Sequence, residues 1–248
     1  MVDSALFVGM SGAKQSMRAL QVISNNLANA NTIGFKADYE TLKSFPTSDD
    51  NMQTRVLSAS DRTYSDFKAG PIMATGSPFD VALSGPGFIA VQTPEGKEAY
   101  TRAGNLRMTP QGVLTTQRGD LVLGAKGVLI IPPSTRIHIG ERGMVSAQLQ
   151  GQSELELTEI GSMKLVEAAT DQLQKGEDGL FYLADDGVAV ASDNVRLVSG
   201  ALEGSNVDPV KELTEIMDIT RQFEMHTKLM RSIEENSTKS NQLLDISE

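Results

Sequence analysis

The sequence predicts an α+β protein in which long N- and C-terminal helices pair as a coiled coil, with an all-β domain and an irregular connector inserted between them. Three observations carry this. Apolar residues recur at alternating spacings of three and four at both ends of the chain, which marks helical seams. Glycine and proline crowd the middle, where 18 of the 22 glycines and eight of the nine prolines lie between Pro46 and Gly200. Between those breakers run short β-rich segments spaced by roughly 8–12 residues. The expected division is a helical assembly domain from residues 1–36 and 205–248, a connector over 37–69 and a β-rich domain over 70–204.

The N-terminal seam comprises Leu6, Met10, Ala13, Met17, Leu20, Leu27 and Ala30, with Ser24 interrupting. The only charges before Lys36 are Asp3, Lys14 and Arg18, so the remaining faces are depleted in charge as interface cores are. Gly9 and Gly12 weaken the helix by roughly 1 kcal/mol each. It should end near Asn31, because Gly34 can take the positive φ that follows a helix C-terminus. Residues 37–69 are polar with weak periodicity and read as a connector with a few short strands.

Strands are expected at Phe88–Val91, Val128–Ile131, Leu155–Leu157, Lys164–Val166 and Val195–Val198. Alternation turns Ile137 and Ile139 inward with Arg136 and His138 outward, and Leu155 and Leu157 inward with Glu154 and Glu156 outward. Pro94-Glu95-Gly96, Asp178-Gly179 and Asp186-Gly187 supply reversals. At Asp208 the period changes again: an aspartate suited to capping precedes Pro209, and no proline or glycine follows. The second seam runs through Ile216, Ile219, Phe223, His226, Met230 and Ile233, continuing as Ser237, Ser240 and Leu244.

Composition excludes several functions. A net charge of −10 argues against broad binding to nucleic acid or an anionic membrane, since both need a basic face. The chain has no cysteine, hence no disulfide or thiolate chemistry. The N-terminus lacks a basic n-region and an unbroken apolar core, so no conventional secretory signal is expected, and no apolar run is long enough to span a membrane. His138 and His226 stand alone, without a second metal ligand or a nucleophile to serve. Gly124-Ala125-Lys126-Gly127 lacks phosphate-loop spacing, and the acidic turns at Glu177-Asp178-Gly179 and Asp185-Asp186-Gly187 do not continue into a calcium loop. No cofactor and no small-molecule substrate are expected.

Three segments resemble the bacterial flagellar rod and hook protein family. They are Asn25-Asn26-Leu27-Ala28-Asn29 with Asn31-Thr32 and Gly34-Phe35-Lys36; Thr75 to Gln92 with Tyr100-Thr101-Arg102-Ala103-Gly104-Asn105; and Gly200 to Val210 followed by Thr220-Arg221-Gln222-Phe223-Glu224-Met225. Phe223, where distal rod and hook members have tyrosine, and the tail through Glu234-Glu235-Asn236 most resemble the proximal rod members. The resemblance implies a non-enzymatic structural role. It further implies export through the flagellar secretion apparatus without a cleaved signal, and assembly with other rod proteins and with copies of itself into the periplasm-crossing shaft that passes torque to the hook. The expected assembly residues are Leu6, Met10, Met17, Leu20, Asn25, Asn26, Leu27, Asn29, Gly34 and Phe35 at one end, and Ile216, Ile219, Phe223, Met230 and Ile233 at the other. Two alternatives compete: a distal rod or hook-junction subunit, and an exported β-rich protein that binds or hydrolyses glycan.

Overall fold

The computed structural model describes residues 2–46, 56–149, 157–184 and 187–245. The chain forms two compact units, one made of Met1–Ala28, Asp38–Ser65 and Asp208–Glu248, the other of Asn29–Ala37 and Asp66–Val207.

The first unit holds helix α1 (Val2–Ala28), an antiparallel strand pair (Asp38–Pro46 with Val56–Ser65) and helix α2 (Pro209–Asp245). The sequence signals at the start of α2 act as expected: Asp208 Oδ1 accepts from the amides of Val210 and Lys211 at 3.0 and 3.3 Å, and Pro209 occupies the first turn. With no breaker after it the helix runs 37 residues, roughly 55 Å at 1.5 Å per residue. The connector expected over 37–69 is instead a long two-stranded ladder of nine and ten residues, with Tyr39 opposite Tyr64 and their rings 5.9 Å apart. Thr, Ser and Tyr supply its β propensity without apolar alternation, so the period-two signal is missing.

The second unit is all β apart from its loops. Its main antiparallel sheet runs in the order Leu173–Lys175, Phe181–Leu183, Glu98–Thr101, Phe88–Gln92, Leu121–Gly124, Leu114–Thr116 and Leu106–Met108. A three-stranded sheet is built from Ser134–Ile139, Met144–Leu149 and Thr158–Ser162, and two short pairs join Val81–Ser84 to Arg196–Ser199 and Ile72–Ala74 to Ala201–Glu203. Val81, Ile89, Val91, Leu114, Val122 and Val145 are fully buried in one core, while Phe88, Tyr100 and Phe181 form a second. Ile137 and Ile139 point inward with Arg136 and His138 outward.

Two strand expectations change. Leu157 is exposed rather than inward, and Glu154, Leu155 and Glu156 lie outside the described residues, as does Asp186. The segment expected over Val128–Ile131 pairs as a strand only at Gly127–Val128, and Ile130 is exposed; Pro132-Pro133 follows, and proline cannot donate to a ladder. The loop Asn29–Ala37, expected to belong with the helices, lies in the β unit.

Candidate assembly surfaces and a buried ion cluster

In the first unit α1 and α2 pack along each other. A methyl group at Gly9 would lie 2.8 Å from Met230 Cγ, and one at Gly12 would lie 2.5 Å from His226 Cε1. Among the described side chains of α1, the buried positions are Gly9, Ala13, Ser16, Ile23 and Asn26. The predicted seam is therefore corrected. Of its members Ala13 is buried, Leu20 and Leu27 are half-buried, and Leu6, Met10 and Met17 are exposed, the two methionines by 54% and 55%. At 100° per residue the face against α2 is turned about a quarter turn from the apolar seam. Small side chains let the helices approach closely, and that contact wins over the one larger apolar residues would make at greater separation. On α2 the residues that sequence reasoning chose, Ile216, Ile219, Phe223, Met230 and Ile233, are all half-buried.

Asn26 is buried and engaged within the chain. Its Nδ2 donates to Asp38 O at 2.9 Å, and its Oδ1 accepts from Asp38 N at 2.8 Å, so the carboxamide closes a two-bond ring as a strand partner would. Only asparagine or glutamine offers both a donor and an acceptor for this. Asn25 stays exposed.

In the β unit the loop Asn29–Ala37 is fastened by several groups. Asn29 is half-buried there. Gly34 adopts φ 69° and its amide donates to Glu203 O at 2.8 Å; a methyl there would fall 2.4 Å from the Arg102 carbonyl carbon. Ala37 N donates to Asn206 Oδ1 at 2.8 Å, and Lys175 Nζ stands 3.9 Å from the centre of the Phe35 ring. Gly34 was expected at subunit contacts, yet it is buried inside the unit, where the approaching backbone leaves no room for a side chain.

Beside this loop lies a cluster that sequence reasoning missed. Lys36 Nζ donates to Glu203 Oε1 at 2.6 Å and to Lys68 O at 2.6 Å. Arg102 Nε donates to Glu203 Oε2 at 2.8 Å, its NH2 lies 2.7 Å from the same oxygen, and its NH1 donates to Gly87 O at 2.9 Å. Gly70 N completes the carboxylate's partners at 3.0 Å. The three side chains are 0%, 1% and 3% exposed for Lys36, Glu203 and Arg102. Burial alone would raise the Glu203 carboxyl, but the hydrogen bonds from Lys36 and Gly70 and the Arg102 charge hold it below the ordinary carboxylate range. Burial pushes the Lys36 ammonium down, aided by Arg102 and opposed by Glu203. Each of the three charges comes from a different one of the three segments quoted above, so those segments converge on one ion cluster. The cluster holds strands and a loop together and presents no reactive group to solvent. Among the described residues no three His, Asp or Glu side chains are grouped to hold a metal, and no helix is long and apolar enough to cross a membrane.

Comparison with known proteins matches the same three regions. Residues 6–36 match the flagella basal body rod protein model, 82–147 the flagellar hook protein FlgE/F/G D1 domain, and 198–243 the flagellar basal body rod FlgEFG protein C-terminal model. The flagellar basal-body rod protein FlgF of Salmonella typhimurium is 37% identical over 99% of this chain and 100% of its own length, and that of Escherichia coli K12 is 36% identical over the same shares. The FlgG rod protein of Caulobacter vibrioides is 31% identical over 96% of this chain and 98% of its own. Matched along its whole length and in each of its characteristic segments, the chain belongs to the flagellar basal-body rod protein family.

Proposed function

We propose that the chain is a structural subunit of the proximal rod of the flagellar basal body, assembling with other rod proteins and with copies of itself. The observation that carries this reading is the end-to-end similarity to the FlgF rod proteins of Salmonella typhimurium and Escherichia coli, at 37% and 36% identity, above the 31% to the FlgG rod protein of Caulobacter vibrioides. Its action is mechanical. α1 and α2 pair in the manner of a coiled coil to form the tube wall, and contacts between non-identical faces of successive subunits propagate an open helix instead of closing a ring. The exposed Phe7, Met10 and Met17 of α1, and Leu213, Met217 and Met225 of α2, supply apolar surface for those contacts. Export proceeds through the flagellar secretion apparatus without a cleaved signal, and the finished rod crosses the periplasm and passes torque to the hook.

The test is genetic. A strain lacking the chain should be non-motile and yield basal bodies without a complete rod, and the wild-type gene should restore both. Leu27→Asp should not restore them, because the half-buried position would force a carboxylate out of water without a partner. Complete rods and normal swimming in the deletion strain would refute the reading.

A further inference from the structure

Within the helical unit, α1, the strand beginning at Asp38 and the first turns of α2 enclose a pocket of about 160 Å³. Four carboxylates line it: Asp38, Glu40, Glu212 and Glu215. Ala19, Val22 and Tyr39 form apolar walls. Glu212 is 2% exposed, and its Oε2 accepts no hydrogen bond among the described residues. A buried carboxylate oxygen left unpaired is costly, so Oε2 of Glu212 carries an unmet demand for a donor. The neighbouring acids do not meet it. Asp38 Oδ1 accepts from Ser65 Oγ at 2.6 Å, Glu40 Oε2 accepts from Gln15 Nε2 at 3.1 Å, and Glu215 makes a loose contact with Lys211 at 3.9 Å. Lys211 itself leans over the Tyr39 ring, 5.9 Å from its centre, and is exposed. Burial, then the Glu215 carboxylate, push the Glu212 carboxyl above its ordinary range, against the opposing pull of the Asn26 side chain and the Lys211 charge.

The lining selects the occupant. No metal-binding group of three acids is present among the described residues, so the carboxylates are too dispersed to share one ion. A long side chain with an apolar stem and a multi-donor cationic head satisfies both the walls and the acids, and arginine fits best because its guanidinium offers several donors at once. The outer face of α1 carries such a group. Lys14 and Arg18, one turn apart, are exposed and bond no carboxylate among the described residues, and they lie among the exposed Phe7, Met10 and Met17. At 100° per residue Lys14 and Arg18 project about a quarter turn from the α1 residues that line the pocket. Socket and plug on different faces of one molecule make a contact that repeats without closing.

We propose that this pocket is a socket for Arg18 of a neighbouring copy of the same chain, with Lys14 of that copy against Glu215 at the rim. The inference rests on the rod-subunit reading and adds to it which surfaces meet. Because the chain has no native cysteine, two differently tagged copies, one carrying Lys14→Cys and the other Glu215→Cys, can be expressed together and treated with a short thiol crosslinker in isolated basal bodies. Both substitutions leave Arg18 and Glu212 intact. A product bearing both tags, absent when Glu215→Cys is replaced by Glu224→Cys, is the expected result. As a second measurement, Arg18→Glu should lower incorporation into rods about tenfold, and adding Glu40→Lys with Glu215→Lys to the same chain should recover most of it. Chain present in rods without the doubly tagged product, and without rescue by charge exchange, overturns the socket and leaves the rod reading standing. Chain absent from the basal bodies overturns both.

Discussion

Replacing Glu203 with alanine removes the carboxylate that pairs both cations of the buried cluster and leaves Lys36 and Arg102 repelling each other. Lys36 Nζ keeps Lys68 O and Arg102 keeps the carbonyls of Gly85 and Gly87, but Gly70 N loses its acceptor. The side chains are at most 3% exposed, so water does not replace the lost partner. Breaking a buried pair in this way costs about 3–5 kcal/mol. For a unit of this size that lowers the melting temperature by roughly 6–20 °C, at about 2–4 °C per kcal/mol. The exposed pair Lys211–Glu215, 3.9 Å apart, provides the contrast: Lys211→Ala should cost less than about 0.5 kcal/mol. Denaturant unfolding of the full chain followed by circular dichroism reads both. The sign of the acid dependence follows from the same geometry. The Glu203 carboxyl is held below its unfolded value, so its contribution is present above that value and disappears as pH falls through the folded one. Stability of the wild type should fall with acid more steeply than that of Glu203→Gln. A loss under about 1 kcal/mol for Glu203→Ala, or parallel acid limbs for wild type and Glu203→Gln, would refute the assignment of the cluster as the clamp of the β unit.

Other perturbations separate the local causes. Gly34→Ala should destabilise the β unit by about 2 kcal/mol or more, since the positive φ and the Arg102 backbone at 2.4 Å both resist a side chain; an unchanged melting temperature would contradict this. Asn26→Asp keeps the acceptor but loses the donor to Asp38 O, and sets a carboxylate beside Glu212; denaturation should show a loss of about 1–3 kcal/mol at neutral pH, partly recovered in acid. Gly12→Leu should force α1 from α2 at His226, which cysteine crosslinking between the two helices would report as lost efficiency.

The features that were legible in the sequence are those that carry their own local signal. Asp208 and Pro209 announce the start of α2, and the three-four spacing from Ile216 to Ile233 marks its half-buried face. Ile137 and Ile139 declare an inward face by alternation alone. α1 misled because its packing face is built largely from Gly9, Gly12, Ala13 and Ser16, which carry little hydropathy, while Leu6, Met10 and Met17 remain outside. The cluster was hidden because Lys36 and Arg102 stand 167 and 101 residues from Glu203, and an isolated charge reads as a solvated one. One trace was available. Glu203 sits in Gly200-Ala201-Leu202-Glu203-Gly204, a charge among small and apolar neighbours, which is where a paired buried carboxylate belongs. The socket acids gave no such sign, because Glu212 and Glu215 read as the usual acidic first turns of a helix.

The central claim is that the chain is built into the proximal rod. Electron microscopy of isolated basal bodies with antibody raised against the β unit tests it most directly. Label confined to the proximal segment of the rod is the result predicted, and label on the hook-proximal segment alone, or none on intact basal bodies, would contradict it.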